Sequence, residues 1–111
     1  MNDCLPFQKM DVYRVAKALV VAVHGAKVRD AELADQAGRA AKSAFLHLAE
    51  GLPNEGVAMR RRYFVGARNS LCETVAAIDV AHAIGAVDDE RAAEIASPGA
   101  QLAQLLRGLM R

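Results

Sequence analysis

No tryptophan occurs in this 111-residue chain, and three phenylalanines and two tyrosines supply its other large aromatic rings. Hydrophobic residues nevertheless make up 53% of the sequence, so alanine, valine and leucine carry the apolar content. Small side chains of this kind suit closely packed helices better than strands. The scarcity of rings also argues against recognition of unpaired bases by stacking. There are only two cysteines, Cys4 and Cys72, far apart and in no CxxC or zinc-ligand spacing. They read as free thiols, as expected in a reducing cytoplasm. Charge of one sign is missing too. The formal net charge is +1, so any attraction to nucleic acid must come from a local patch. The N-terminus lacks the basic-then-apolar order of a signal peptide. The most apolar run, Leu19 to Val23, falls far short of the roughly 20 residues that span a bilayer. The chain therefore reads as cytoplasmic, with no membrane contact.

Period-two alternation is absent as well, which leaves helices. At this length one domain is expected, over residues 1–111, with roughly two-thirds of the unfolded surface buried. Residues 1–10, with Pro6, read as an N-terminal arm. Asp11 is a candidate N-cap for a first helix in which Val12, Val15, Ala16, Leu19, Val20 and Val23 recur at spacings of three and four. Gly25 and Lys27-Val28-Arg29 end it. Asp30 can cap a second helix with Leu33, Ala37, Ala40, Ala44 and Leu48 on one stripe and Ala34, Ala41 and Phe45 beside it. Gly51 reads as a left-handed C-terminal residue, Pro53 as a stop and Asn54 as the next N-cap. The third helix carries two stripes: Phe64, Ala67, Leu71, Val75, Ile78 and Ala81, then Val65, Cys72, Ala76, Val80, Ala83 and Val87. Two apolar stripes call for cover on two sides, a reason to expect self-association. Gly85 ends this helix, and Asp88 or Asp89 caps a fourth with Ala92, Ile95, Leu102, Leu105, Leu106 and Leu109. Ser97-Pro98-Gly99 predicts a break or a kink there. Short connections favour antiparallel neighbours. The expected fold is all-α, an up-down-up-down four-helix bundle.

Several segments, in order, resemble the four-helix bundle proteins related to those encoded in intervening sequences of large-subunit ribosomal RNA genes. They are Phe7-Gln8-Lys9-Met10-Asp11-Val12-Tyr13 in the first helix, and Leu33, Gln36, Arg39-Ala40-Ala41, Ser43 and Leu48-Ala49-Glu50-Gly51 in the second. The third helix adds Tyr63-Phe64 and Ala67-Arg68-Asn69-Ser70-Leu71-Cys72-Glu73. Three positions depart from the family pattern: His47 stands where Asn is usual, Phe45 where Pro is common, and Asn69 where Gly is common. The resemblance implies an all-α bundle, a ring-shaped homopentamer, and no enzymatic activity. A group similar in fold, the accessory proteins of diversity-generating retroelements, binds nucleic acid and a reverse transcriptase. RNA or DNA is therefore an expected partner.

The candidate chemistry is sparse. A di-iron bundle needs Glu-x-x-His on two helices and Glu on two more. Asp79-x-x-His82 is the nearest approach, and His24, His47 and His82 fall on three different helices, so neither metal nor cofactor is expected. No spacing supports a nucleophile dyad from Ser43, Cys72 and His82, and there is no glycine-rich phosphate loop. The densest positive run is Arg60-Arg61-Arg62. With Arg68 two turns along the same helix and Lys42 on the preceding one, it forms a candidate phosphate-binding patch, which ring symmetry would repeat. The alternative is a solvated face paired with Glu50 and Glu55. The chain then acts as a protein-protein interaction module without nucleic-acid affinity.

A tight turn around Pro53-Asn54 would set Arg39 level with Arg68, about one turn from Ser70 and Glu73. That register predicts a structural polar cluster of Gln36, Arg39, Ser70 and Glu73, extended by Ser43 and Glu50. Otherwise Arg39 faces solvent.

Overall fold

The computed structural model describes residues 5–111. Four helices follow one another: α1 Asp11–Gly25, α2 Ala31–Gly51, α3 Val57–Ala83 and α4 Asp89–Leu109, with no strand among the described residues. A 3-10 turn, Pro6–Lys9, precedes α1. Of the predicted arm, residues 1–4, with Cys4, lie outside the described residues. The remainder is anchored: Phe7 packs edge-on against Tyr13 at 5.5 Å, and Tyr13 against Phe45 at 4.9 Å.

Each helix contacts the next, and α4 returns to α1. Tyr13 near the start of α1 meets Phe45 near the end of α2. Ser43 meets Ser70 and Gly51 meets Phe64, so α2 and α3 are antiparallel. Arg61 at the start of α3 reaches the Met110 carbonyl beyond the end of α4. Arg91 at the start of α4 reaches Gly25 at the end of α1. The expected up-down-up-down bundle results. At one end arginines tie the connections together. The Arg29 backbone N–H donates to Ala86 at 2.8 Å, its guanidinium to Gly85 at 2.6 Å, and the Arg91 guanidinium to Gly25 at 2.6 Å.

The core follows the stripes. Val12, Ala16, Leu19 and Val23 of α1 are buried against Leu48 of α2, Phe64, Leu71 and Ile78 of α3, and Ile95, Leu102 and Leu106 of α4. Alanines Ala37, Ala40, Ala41 and Ala44 are also buried. They bring α2 close to α3, the most extensive helix pair in the molecule.

Asp30 caps α2 by accepting from Leu33 N–H at 2.9 Å, and Asp88 caps α4 by accepting from Arg91 N–H at 2.8 Å. Four local expectations change. Asp11 is the first helical residue of α1, and Met10 holds the cap position. Gly56 is the N-cap of α3, while Asn54 accepts from the Gly56 N–H at 2.9 Å in the turn before it. Gly51 ends α2 inside the helix. A Cβ there would lie 2.8 Å from Phe64 Cε1, so the glycine serves close packing rather than a left-handed turn. Among the described residues the left-handed ones are Gly85, at φ 78°, and Lys27, at φ 52°. Finally, of the break or kink expected at Ser97-Pro98-Gly99, the break is absent: helix runs unbroken there. Pro98 removes its own backbone donor and crowds the Glu94 carbonyl one turn back, while buried Ile95 and Leu102 hold the helix on either side.

On α3 the first stripe packs inward, with Thr74 and Ala77 in place of Val75. Thr74 is fully buried, and its hydroxyl donates to the Ser70 carbonyl at 2.8 Å, which removes the cost of an unpaired polar group. The second stripe is uncovered within one chain. Cys72, Ala76 and Ala83 are exposed, and Val80 is 50% exposed. Val87 alone of that set is buried.

Candidate nucleic-acid interface

The predicted basic run spreads around α3, as three consecutive helical residues must. Arg60 turns toward the bundle end. Its guanidinium donates to the Leu52 carbonyl at 2.6 Å and lies 5.0 Å from the Phe64 ring centre. It is half-buried and committed to closing the α2–α3 turn. Arg62 is exposed. Arg61 and Arg68, seven residues apart, fall on the side that meets α4. There they line a groove of about 440 Å³ together with Arg107 and Arg111, the remaining wall being Cys72, Ala103 and Met110. No acidic residue lines it. The Arg61 guanidinium donates to the Met110 carbonyl at 2.7 Å, which fixes one arginine of the four. Lys42 lies elsewhere, in a groove between α1 and α2 with His24, Asp35 and Arg39.

The run in α3 was visible along the chain. Arg107 and Arg111 were not, since nothing in their spacing tells which face of α4 lies beside which face of α3. The only advance signal was their position at the end of the final helix, Arg107 in its last turn and Arg111 just past it. There an antiparallel neighbour brings them back to the start of α3.

The predicted polar cluster is divided. Ser43 and Ser70 meet, Oγ to Oγ at 2.9 Å. Gln36, Arg39, Ser43 and Glu73 line one open pocket of about 520 Å³ with Glu32, Asp35 and Ala40. Arg39 itself pairs along its own helix with Asp35 at 3.1 Å, and its side chain is 75% exposed. Gln36, Glu50 and Glu73 are also exposed. The register explains this. Leu52–Gly56 separates α2 from α3, and Arg60 of α3 comes level with Leu52. Arg39 is therefore level with Thr74 rather than Arg68. An open pocket, not a buried network, results.

What sequence reading missed at this seam is His47. Its Nδ1–H donates to the Ser43 carbonyl at 2.8 Å, and Ser43 Oγ lies 3.2 Å from the same nitrogen. A carbonyl only accepts, so Nδ1 carries a proton and cannot act as a base toward Ser43. The ring lies over Gly66, where a Cβ would stand 2.7 Å from its Cδ2. His47 is thus a packing and back-bonding residue on α2. The glycine that accommodates it is on α3.

At the far end, His82 Nε2 and Asp89 Oδ1 are 2.6 Å apart across the α3–α4 connection, both exposed. Among the described residues no three His, Cys, Asp or Glu side chains could hold a metal ion. No helix described is long and apolar enough to cross a membrane.

No curated protein matches this chain. The family model described as 23S rRNA-intervening sequence protein matches residues 8–108, nearly the whole bundle, and its description names no enzymatic activity. From the core stripes of α1 to the arginines of α4, the chain belongs to the 23S rRNA-intervening sequence protein family.

Proposed function

We propose that this protein is a non-enzymatic, cytoplasmic, homo-oligomeric helical scaffold that grips the phosphate backbone of nucleic acid. The observation that carries the reading is the convergence of Arg61 and Arg68 from α3 with Arg107 from α4 and Arg111 just beyond it, on a groove lined by no acidic side chain. Guanidinium forks match phosphate oxygens bidentately and stay charged at any physiological pH. The groove contributes no aromatic ring, so contacts to phosphate would position the partner with little sequence preference. The family description names an rRNA-intervening sequence, which makes structured RNA the first probe. Five copies, the number favoured by the resemblance, would present the groove five times, and avidity would raise a weak single-site affinity.

Four phosphate contacts per site should give log K against log salt a slope of about −3.6 on duplex. The quadruple variant Arg61→Glu, Arg68→Glu, Arg107→Glu, Arg111→Glu should lose binding to every RNA tested. The Lys42→Glu variant, changed on the other face, should bind nearly as the native protein does. Absence of native binding at low salt, or an unchanged quadruple variant, overturns the reading. The protein-protein alternative is favoured by a different observation: Val75, Val80 and Ile84 are large apolar side chains left exposed on α3 and just beyond it.

A further inference from the structure

Three hollows run end to end between α3 and α4. The arginine groove shares Cys72 and Ala103 with an apolar groove of about 450 Å³. Leu71, Val75 and Ala76 of α3 and Gly99 and Ala100 of α4 form the body of that groove. Val75, Asp79 and Ala96 belong also to a third hollow, which carries His82 and Asp89. The result is one trough, basic at one end, apolar in the middle and acidic at the other. Arg68 and Asp79 on α3 stand eleven residues apart, as do Arg107 and Ala96 on α4. The apolar stretch between them is therefore about 16 Å long at 1.5 Å per residue.

We infer that this trough binds a single-chain anionic amphiphile, its phosphate or carboxylate head among the arginines and its alkyl chain along the apolar groove. Charge sets the direction. Arg61 is tied to the Met110 carbonyl, but the guanidinium groups of Arg68 and Arg107 have no partner among the described residues. Each can offer its fork of donors to a pair of head-group oxygens. Asp79, at the other end, repels an anion, so the head enters at one end alone.

Chemistry and width select the tail. Apart from Asp79 and the Cys72 thiol, no side chain lining the apolar groove can form a hydrogen bond. A nucleobase or an extended peptide laid there would leave its own donors and acceptors unpaired. An alkyl chain has none. A partner helix satisfies its own backbone but is about 10–12 Å across with its side chains. That exceeds the spacing of about 8–10 Å between packed helix axes, so a helix would ride on the rims and leave the floor empty. Gly99 gives the floor its depth: it is buried, and an added Cβ would meet Val75 at 3.6 Å. An extended chain of about twelve carbons, at about 1.3 Å per carbon for bonds near 1.5 Å, fits the run of about 16 Å. The apolar groove has the volume of an ordinary small-molecule site and, like one, has polar groups only where they fix orientation.

The site stands on the trough alone. Only its consequence, that a bound head takes Arg68 and Arg107 from phosphate, rests on the nucleic-acid reading.

The test is calorimetric titration of the full chain with alkyl phosphates below their micelle-forming concentrations. From hexyl to dodecyl phosphate, affinity should rise about two- to fourfold per methylene, the range from half to full burial of each group. The rise should level off beyond about twelve carbons. Affinity independent of chain length overturns the inference. So does equal binding of dodecyltrimethylammonium, which carries the same tail under the opposite charge. Ala76→Gln with Ala100→Gln should flatten the chain-length dependence. Arg68→Gln with Arg107→Gln should weaken dodecyl phosphate binding more than about tenfold. All four positions are exposed, so both variants should keep the native circular dichroism, and native affinity in either one overturns the assignment. Binding to anionic phospholipid vesicles with none to monomeric dodecyl phosphate would replace the single-chain site with a membrane surface and overturn it too. Dodecyl phosphate should also displace structured RNA where inorganic phosphate at the same concentration does not. RNA bound but undisplaced overturns the competition, whereas no RNA binding at all would sink the nucleic-acid reading and leave the amphiphile site standing.

Discussion

Helix α3 has two seams, and they are built by opposite rules. Toward α2 it is packed to contact distance. Buried alanines line α2, Gly51 receives Phe64, Gly66 receives His47, and Ser43 and Ser70 share a hydrogen bond. Toward α4 it leaves a trough, floored by small residues and rimmed by exposed Val75 and charges. Both seams use small side chains, but to different ends. On the α2 side each missing Cβ is filled by a ring from the opposite helix. On the α4 side a Cβ at Gly99 would find its nearest neighbour, Val75, at an ordinary 3.6 Å, so that glycine leaves room instead. Low side-chain volume therefore does not by itself mean tight packing.

The comparison can be broken most directly by truncation. Phe64→Ala should cost about 3–5 kcal/mol in urea unfolding, because a fully buried ring wedged against Gly51 leaves a cavity that rigid helices cannot close. Val75→Ala, on the trough, should cost less than about 0.5 kcal/mol in a dissociated chain. Comparable costs would mean that the two seams are not different in kind.

Overpacking sharpens the contrast. Gly51→Ala should destabilise by about 1–3 kcal/mol, since Phe64 is buried and has nowhere to move. Gly66→Ala should do likewise through His47. Pairing it with His47→Ala should recover part of the loss, a non-additivity readable in a double-mutant cycle. Gly99→Ala, on the open seam, should be neutral or mildly stabilising through helix propensity.

Smaller effects come from the polar contacts. Ser43→Ala should cost about 0.5–1.5 kcal/mol by removing one hydrogen bond between part-buried hydroxyls. Ser43→Ala with Ser70→Ala should cost less than the sum. Arg39→Ala should change stability by less than about 1 kcal/mol, because its pair with Asp35 is exposed and screened. Coupling of Arg39 to Glu73 above that level would restore the buried cluster that the register argues against.

Much of the fold was legible along the chain. Helical periodicity marked the core stripes apart from Thr74 and Ala77 on α3, and the caps Asp30 and Asp88 marked two helix starts. Gly85 marked the end of α3. The misreadings share a cause. Gly51, Asn54 and a break at Pro98 were read as punctuation from local preference, whereas Gly51 answers to Phe64, thirteen positions away, and the helix through Pro98 is held by buried Ile95 and Leu102. The candidate site was half legible: Arg61 and Arg68 stood out in the sequence, and Arg107 and Arg111 did not.

The sequence by itself determined the class of fold, because a 3.6-residue period of apolar side chains can be buried only by helices packing on helices. It determined, too, that α3 has more apolar surface than one bundle hides. Tertiary structure alone decided which charges share a surface. Side-chain direction repeats every turn, but the level at which two helices meet depends on how far each runs past the turn between them. Six positions of drift in that level took Arg68 away from Arg39 and set Thr74 opposite it instead. The antiparallel return of α4 gathered four arginines at one end of a trough and Asp79 and Asp89 at the other.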